Sequence, residues 1–268
     1  MPLSITSLNS GSNGNCYYIG NEKEAVLVDA GISCRETESR MKRLGLPIQK
    51  VKAIFVSHEH SDHIRGIPVL AEKYQLPVYI TPKTLQRTAL QSLGPLVLPF
   101  KSKKEIHIGN LAVKAFPKSH DAADPHSFVI SGQGVKVGVF TDIGSPCQEV
   151  FRHFQECTAA ILEANYDEEM LDRGNYPYHL KNRIRGGQGH LSNRQALELF
   201  TTHRPSFMTH ILLGHLSRNN NCPEVVRAQF APFAGKIKVI VASRTKETPV
   251  YSIGQPAFVQ GELFAEGG

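Results

Sequence analysis

The 268-residue sequence predicts an α/β fold of four layers, an αββα sandwich in which two β-sheets pack face to face with helices outside. Three observations carry this expectation. Short apolar segments rich in Val, Ile and Leu alternate with segments of helical spacing in both halves of the chain. Gly, Asn and Pro punctuate them at the intervals expected of turns. No internal repeat, low-complexity tract or linker divides the chain, so a single domain over residues 1–268 is expected.

In chain order, strands are expected at Ser4–Leu8, Cys16–Ile19, Ala25–Asp29, Val51–Val56 and Val78–Ile80. Ser33 and Glu36 have the spacing of a capping box, and the helix they open runs to Leu44 with Gly45 at the C-cap. Ile67–Tyr74 has helical apolar spacing. Gly109–Asn110, between Glu105–Ile108 and Leu111–Phe116, is a two-residue hairpin signal, and Phe128–Ile130 with Val135–Phe140 reads as a second hairpin. A strand at Ala160–Glu163 leads into a polar stretch from Asn165 to Gly189. Then come a helix from about Asn193, a strand at Ile211–Gly214, a helix from about Pro223 and a strand at Lys236–Val241. The tail after Gly254 is expected to be loosely held.

The composition is that of an ordinary folded protein, which argues against disorder. No run approaches the roughly 20 apolar residues of a membrane span. The opening MPLSITSLNS lacks the basic and apolar regions of a secretory signal, so a cytoplasmic protein with no membrane partner is expected. Five scattered cysteines without a CxxC pair fit reduced thiols in that compartment. The net charge of +6 leans weakly toward a polyanionic partner.

The chemistry concentrates where the apolar run Val51–Val56 enters Ser57-His58-Glu59-His60-Ser61-Asp62-His63. Three imidazoles and an aspartate within six residues leave polar groups unsatisfied at the edge of a core unless a cation gathers them; a solvated polar loop is the alternative. These donors suit zinc, manganese and iron alike.

Two later motifs, Gly189-His190-Leu191-Ser192-Asn193 and Gly214-His215-Leu216-Ser217-Arg218-Asn219-Asn220-Asn221, each precede an expected helix. Helix N-termini present free N–H groups that favour phosphate, which makes Ser192, Ser217, Arg218 and Asn219 candidate substrate contacts. For Ser217–Asn221, a loop that merely caps a helix is the alternative. Between these motifs and the middle of the chain, Lys181, Arg183 and Arg185 follow Tyr176 and Tyr178. Such a strip suits backbone neutralisation and base stacking on nucleic acid, with a solvated loop as the bland reading. The Ser10–Asn15 loop either presents N–H groups to phosphate or is a plain hairpin turn.

His58-x-His60-x-Asp62-His63 resembles the HxHxDH signature of the metallo-β-lactamase superfamily, and the resemblance extends over most of the chain. Val26-Leu27-Val28-Asp29-Ala30-Gly31 is similar to the family's second strand and structural aspartate. His120 resembles the third histidine, Asp142 the bridging aspartate and His215 the last ligand. The resemblance implies two divalent metal ions per chain (Zn, Mn or Fe): one on His58, His60 and His120, the other on Asp62, His63 and His215, with Asp142 shared. His126 is the rival for the position given to His120.

Glu163-Ala164-Asn165, His190-Leu191-Ser192 and His215-Leu216-Ser217-Arg218 resemble segments of ribonuclease Z-type phosphodiesterases. That likeness implies catalytic roles for His190, Glu163 and Asp62, with His190 handling the leaving group's proton and Glu163 orienting it. Over its whole length the sequence resembles the YycJ/WalJ-like branch of bacterial metallo-β-lactamase-fold proteins, which implies a 5′-to-3′ exonuclease acting on DNA rather than RNA, with a role in DNA repair. Only 48 positions separate Asp142 from His190, leaving no room for a β-CASP insertion, and the Gly/Pro-rich arm that grips tRNA is absent from the sequence. A small-molecule hydrolase of the same fold, acting on a thioester, lactone or cyclic nucleotide, is the alternative; it needs neither His190 nor the basic strip.

Overall fold

A computed structural model of the chain describes residues 2–255. The tail expected to be loose lies, beyond Gln255, outside the described residues. The strands are β1 (Leu3–Asn9), β2 (Cys16–Gly20), β3 (Ala25–Val28), β4 (Val51–Phe55), β5 (Val78–Ile80), β6 (Val97–Pro99), β7 (Glu105–Ile108), β8 (Leu111–Pro117), β9 (His126–Gly132), β10 (Val135–Phe140), β11 (Ala159–Glu163), β12 (His210–Gly214), β13 (Lys238–Val241) and β14 (Tyr251–Ile253). They form two seven-stranded sheets in the orders β14-β1-β2-β3-β4-β5-β6 and β13-β12-β11-β10-β9-β8-β7.

Each sheet is antiparallel at one end and parallel at the other. Tight turns join some of the antiparallel neighbours: Gln133 and Gly134 both adopt positive φ between β9 and β10, as a two-residue hairpin requires. The parallel strands β3–β6 and β10–β13 need crossovers. Helices supply most of them: α1 (Cys34–Arg43), α2 (Ser61–Ile64), α3 (Ile67–Tyr74) and α4 (Pro82–Leu85) on the first sheet's side; α5 (Gln148–Phe154), α6 (Glu168–Arg173), α7 (Tyr178–Arg185), α8 (Asn193–His203) and α9 (Pro223–Phe230) on the second's.

Three apolar layers hold these four together. Ile5, Phe55, Phe128, Val137, Ile161 and Leu212 fill the space between the sheets. Leu27, Ile54, Met41 and Leu70 join the first sheet to α1 and α3, and Leu162, Phe154, Phe200 and Phe230 join the second to α5, α8 and α9. Strands such as β11 are buried on both faces, which is why they read as unbroken apolar runs without alternation.

Several elements depart from the sequence expectation. The polar stretch 165–189 contains α6 and α7; Asp167 caps α6 by accepting from the Met170 N–H, and both helices turn mostly polar faces outward. Edge strands β6 and β14 and helices α4 and α5 were not expected, being only three to seven residues long. Ser33 caps α1, but the Glu36 side chain completes no box and bonds Arg40 at 2.6 Å. Ser192 and Gln195 do form the full reciprocal box. The five cysteines are unpaired, and among the described residues no helix is long and apolar enough to cross a membrane.

Candidate metal centre and active site

The polar side chains that the sequence singled out gather at the carboxyl ends of the strands, where open α/β sheets place their ligands. Asp29 follows β3, the His58–His63 run follows β4, His120 follows β8, Asp142 follows β10, Glu163 ends β11 and His215 follows β12. Asp29, Asp142 and His215 have φ of 60°, 53° and 56°, left-handed values that a side chain adopts only where its surroundings hold it. These three are residues whose side chains must leave a strand end and turn into the shared space.

Donor atoms of His58, His60 and His120 lie within 4.8 Å of one another, as do those of Asp62, His63 and His215; Asp142 joins His58 and His63 in one group and His215, Glu163 and His190 in another. Asp142 therefore stands between the two histidine sets. Its carboxylate is 3.2 Å from His63 Nε2 and 3.2 Å from His215 Nδ1. His126 is not among these groups: its Nδ1 bonds the Asp124 carbonyl at 2.9 Å, and its ring packs on Phe100.

The imidazoles are oriented from behind. His63 Nδ1 contacts the Asp29 carboxylate at 2.7 Å, His120 Nδ1 the Gly189 carbonyl at 3.0 Å, and His215 Nδ1 the Glu163 carboxylate at 2.9 Å. A donor engaged at Nδ1 places the lone pair on Nε2, the arrangement that prepares a histidine to ligate. His120 Nε2, His215 Nε2 and Asp142 Oδ2 are buried without a hydrogen-bond partner. Orphaned acceptors of this kind are costly in a native core, and a divalent cation satisfies all three, so the residues present fit a metal centre.

The carboxylates make the second histidine set favour a positive charge, which a cation would supply in place of a proton. Asp29, Asp142 and Glu163 are almost completely buried. Burial opposes a charge on His215, yet Asp142, Asp62 and Glu163 pull its pKa up to about 10, and the same kind of opposition resolves upward at His63 against Asp142, Asp29 and Asp62. Burial dominates at His58 and at His120, which it lowers to about 4, leaving both neutral. Lys118, itself buried, donates to the Thr141 carbonyl at 2.6 Å and braces the turn that carries Asp142.

Glu163 serves two masters. Its Oε1 lies 2.7 Å from His190 Nδ1 as well as 2.9 Å from His215 Nδ1, and its Oε2 accepts from the Ile143 and Leu191 N–H groups. Burial works against its charge, but His190 and His215 hold its pKa down to about 2. His190 itself is partly open to the cavity that Ser12, His60, Asp62, Asp142, Arg183 and His215 also line.

The candidate substrate contacts separate. Ser192 is fully buried and its hydroxyl bonds Glu168 and the Gln195 N–H, so its position is that of a helix cap and the expected substrate contact is corrected. The segment after His215 runs up to α9, which begins at Pro223 as expected, with Cys222 as its N-cap. Within it Asn221 donates to the carbonyls of Ala164 and Asn165 and bonds Asn193, tying three segments together. Ser217 is partly buried and Arg218 and Asn219 are exposed; Asn219 donates to the Tyr176 hydroxyl at 3.1 Å. The basic strip is the helix α7, so Arg183 and Arg185 point about 200° apart. Arg183 meets Asp121 at 2.6 Å beside the cavity, whereas Arg185 meets Asp172 and Lys181 donates to the Asp172 carbonyl.

Sequence reasoning missed the loop 10–15 as scaffold. Its Gly11 N–H is bound by Asn15 Oδ1, its Asn15 N–H by the Asp62 carbonyl, and the Asn15 amide reaches His63 Nε2 at 3.0 Å and Asp62 at 3.3 Å. Ser10 Oγ accepts from the His215 N–H. The loop thus buttresses ligands and keeps few N–H groups for phosphate. Gly31 backs the same contact: a Cβ there would lie 1.7 Å from the Asp62 carbonyl oxygen. Gly31→Ala is expected to cost about 1–3 kcal/mol of stability by overpacking and to lower metal occupancy; a wild-type denaturation midpoint and metal content would refute it.

The same architecture recurs in known proteins. A family model described as a beta-lactamase superfamily domain matches residues 24–211. Exodeoxyribonuclease YycJ of Bacillus anthracis is 37% identical over 233 residues, covering 85% of this chain and 87% of its own. Exodeoxyribonuclease WalJ of Streptococcus pneumoniae is 34% identical over 225 residues, 81% of this chain and 83% of its own. The metallo-β-lactamase fold protein YhfI from Bacillus subtilis superposes with a TM-score of 0.72 at 19% identity, covering 94% of this chain and 100% of that one, which speaks to the fold alone. A family match over most of the chain, two long relatives and a buried His/Asp cluster at the strand ends agree: the chain belongs to the beta-lactamase superfamily, as a hydrolase of the metallo-β-lactamase fold.

Proposed function

We propose that the chain is a metal-dependent nuclease, a single domain without a β-CASP insertion, that degrades DNA from a 5′ end in DNA repair. The observation that carries this reading is the His190–Glu163 pair beside Asp142, 2.7 Å apart and partly open to the cavity, because a small ester with a good leaving group needs no such proton donor. The relatives named exodeoxyribonucleases, alike over most of their length, support the choice of DNA.

His58, His60 and His120 would hold one divalent ion, Asp62, His63 and His215 the other, with Asp142 shared. Ions so held would supply an activated water and neutralise charge on the phosphodiester oxygens. The chain's own part is positional. Asp29, Gly189 and Glu163 fix the ring planes of His63, His120 and His215 from behind. Glu163 holds His190 Nδ1, which leaves Nε2 to give a proton to the departing oxygen. Arg183, at the cavity wall, meets the strand's phosphates.

End-labelled duplexes incubated with Zn²⁺, Mn²⁺ or Fe²⁺, with and without chelator, test the reading. Expected is stepwise, chelator-sensitive loss of nucleotides from the 5′ end. Intact DNA alongside turnover of a lactone or thioester would instead favour a small-molecule hydrolase. Within the nuclease reading, Arg183→Glu should weaken DNA binding and flatten its salt dependence, while Arg185→Glu, directed at Asp172, should change either only slightly. Equal effects in a salt titration of the two variants would contradict the split of the basic strip.

A further inference from the structure

Arg244 lies in the loop after β13, outside every motif used so far. Three consecutive residues of the 10–15 loop are shaped around it. A Cβ on Gly11 would come within 2.9 Å of Arg244 Nη1 and 3.1 Å of its Cγ. Ser12 Oγ accepts from Nη1 and Nη2 at 3.3 and 3.2 Å, and Asn13 Nδ2 donates to the Arg244 carbonyl at 2.6 Å. From the other side, the carbonyl of Leu216, next to His215, accepts from Nη1 at 2.8 Å.

These contacts use the end of the guanidinium and the outer face of Nη1. On the edge formed by Nε and Nη2, Nε has no acceptor among the described residues and Nη2 meets only Ser12 Oγ, and Arg244 forms no ion pair among them, although it is partly buried. That edge is the one that grips carboxylate or phosphate with two parallel hydrogen bonds. The charged and titratable neighbours that act on Arg244 are Arg218, Tyr176 and Asp62; burial and then Arg218 hold its pKa below the usual value. Asp62 is the one carboxylate acting on Arg244 beside the second positive charge of Arg218, and an excess of positive charge favours an anion. Ser12, whose hydroxyl Arg244 fixes, lines the same cavity as Asp62, His190 and His215.

We propose that Arg244, with Ser12, forms a phosphate subsite that holds the nucleic-acid strand beside the reactive centre, on the wall formed by the 10–15 loop. The subsite rests on the nuclease reading and adds to it a specific strand contact. A phosphate here is either the strand's terminal monophosphate or an internal diester, and both fit the same fork.

The test uses the metal-loaded full chain as wild type, Arg244→Gln and Arg244→Lys. Binding is read by fluorescence anisotropy with a fluorescein-labelled single-stranded oligonucleotide carrying either a 5′-phosphate or a 5′-hydroxyl, and turnover is read with bis(p-nitrophenyl) phosphate, too small to span the subsite. Arg244→Gln is expected to weaken oligonucleotide binding about 10–100-fold, the size of one charge-assisted fork, with metal content and turnover of the small diester retained. Arg244→Lys should recover part of the loss. If a terminal phosphate occupies the subsite, wild type prefers the 5′-phosphate and Arg244→Gln erases that preference; if an internal diester does, both oligonucleotides weaken equally. Loss of metal, or equal loss on the small diester, would make Arg244 a strut and overturn the proposal. Wild-type DNA binding that Arg244→Gln leaves unchanged overturns the subsite alone, whereas a wild type that neither binds nor cuts DNA overturns the nuclease reading with it.

Discussion

Asp142→Asn is expected to empty both metal positions together and to lower activity well beyond the roughly 10–100-fold that follows loss of an outer-shell partner. The substitution keeps the shape of the side chain and removes one negative charge from the point where the two histidine sets meet, 3.2 Å from His63 and 3.2 Å from His215. One of its oxygens is buried without a hydrogen-bond partner, so an amide at that place turns an orphaned acceptor into either a weaker ligand or an unsatisfied donor. Metal analysis after reconstitution should find close to two divalent ions per wild-type chain and fewer than one in the variant. Two retained ions with near-normal turnover would remove Asp142 from the centre. His215→Ala should behave differently, losing chiefly the second position, with activity that added metal partly restores.

The second large effect separates His190 from the ligands. His190→Ala should keep its metal and its fold while losing about 10²–10⁴ in rate on DNA, the usual contribution of a general acid. A nitrophenyl phosphodiester, whose leaving group needs little protonation, should be cleaved by the variant almost as well as by wild type. Comparing kcat on the two substrates is therefore decisive: equal loss on both, or loss of metal, makes His190 a structural or ligating residue. Glu163→Gln is expected to do more than soften His190. Because the same carboxylate oxygen meets His190 at 2.7 Å and His215 at 2.9 Å, the variant should combine slower cleavage of DNA with reduced metal affinity. A glutamine variant with full metal content on both positions would show that His215 is held without it.

Much of this site was legible in the sequence because its signals are local. His58, His60, Asp62 and His63 fall within six residues at the end of an apolar strand, and that ligand density has few other physical explanations. The buried parallel strands announced themselves as apolar runs, the hairpins by their turn residues and α8 by its capping box, and the resemblance to the metallo-β-lactamase superfamily then implied His120, Asp142 and His215 as ligands after β8, β10 and β12. The edge strands β6 and β14 and helices α6 and α7 escaped because short, half-exposed elements carry too few apolar positions to show a period.

What only the tertiary structure decided are relations between distant residues. Arg183 and Arg185 look alike in sequence, but a helix turns them to opposite sides, one to the cavity and one to Asp172. Ser192 has the chemistry of a phosphate contact, but its hydroxyl is already taken by the helix it caps. Glu163 was expected to orient one histidine and orients two, and Arg244 joins the site from 231 positions beyond Asn13. The sequence by itself determined the fold class and the His58–His63 ligand run, since strand periodicity and ligand density are properties of neighbouring residues, and its family resemblance implied the rest of the ligand set to be tested. Which side chains share a carboxylate, which hydroxyls are already engaged and which guanidinium edge stays open depend on packing between segments, and local pattern holds no record of that.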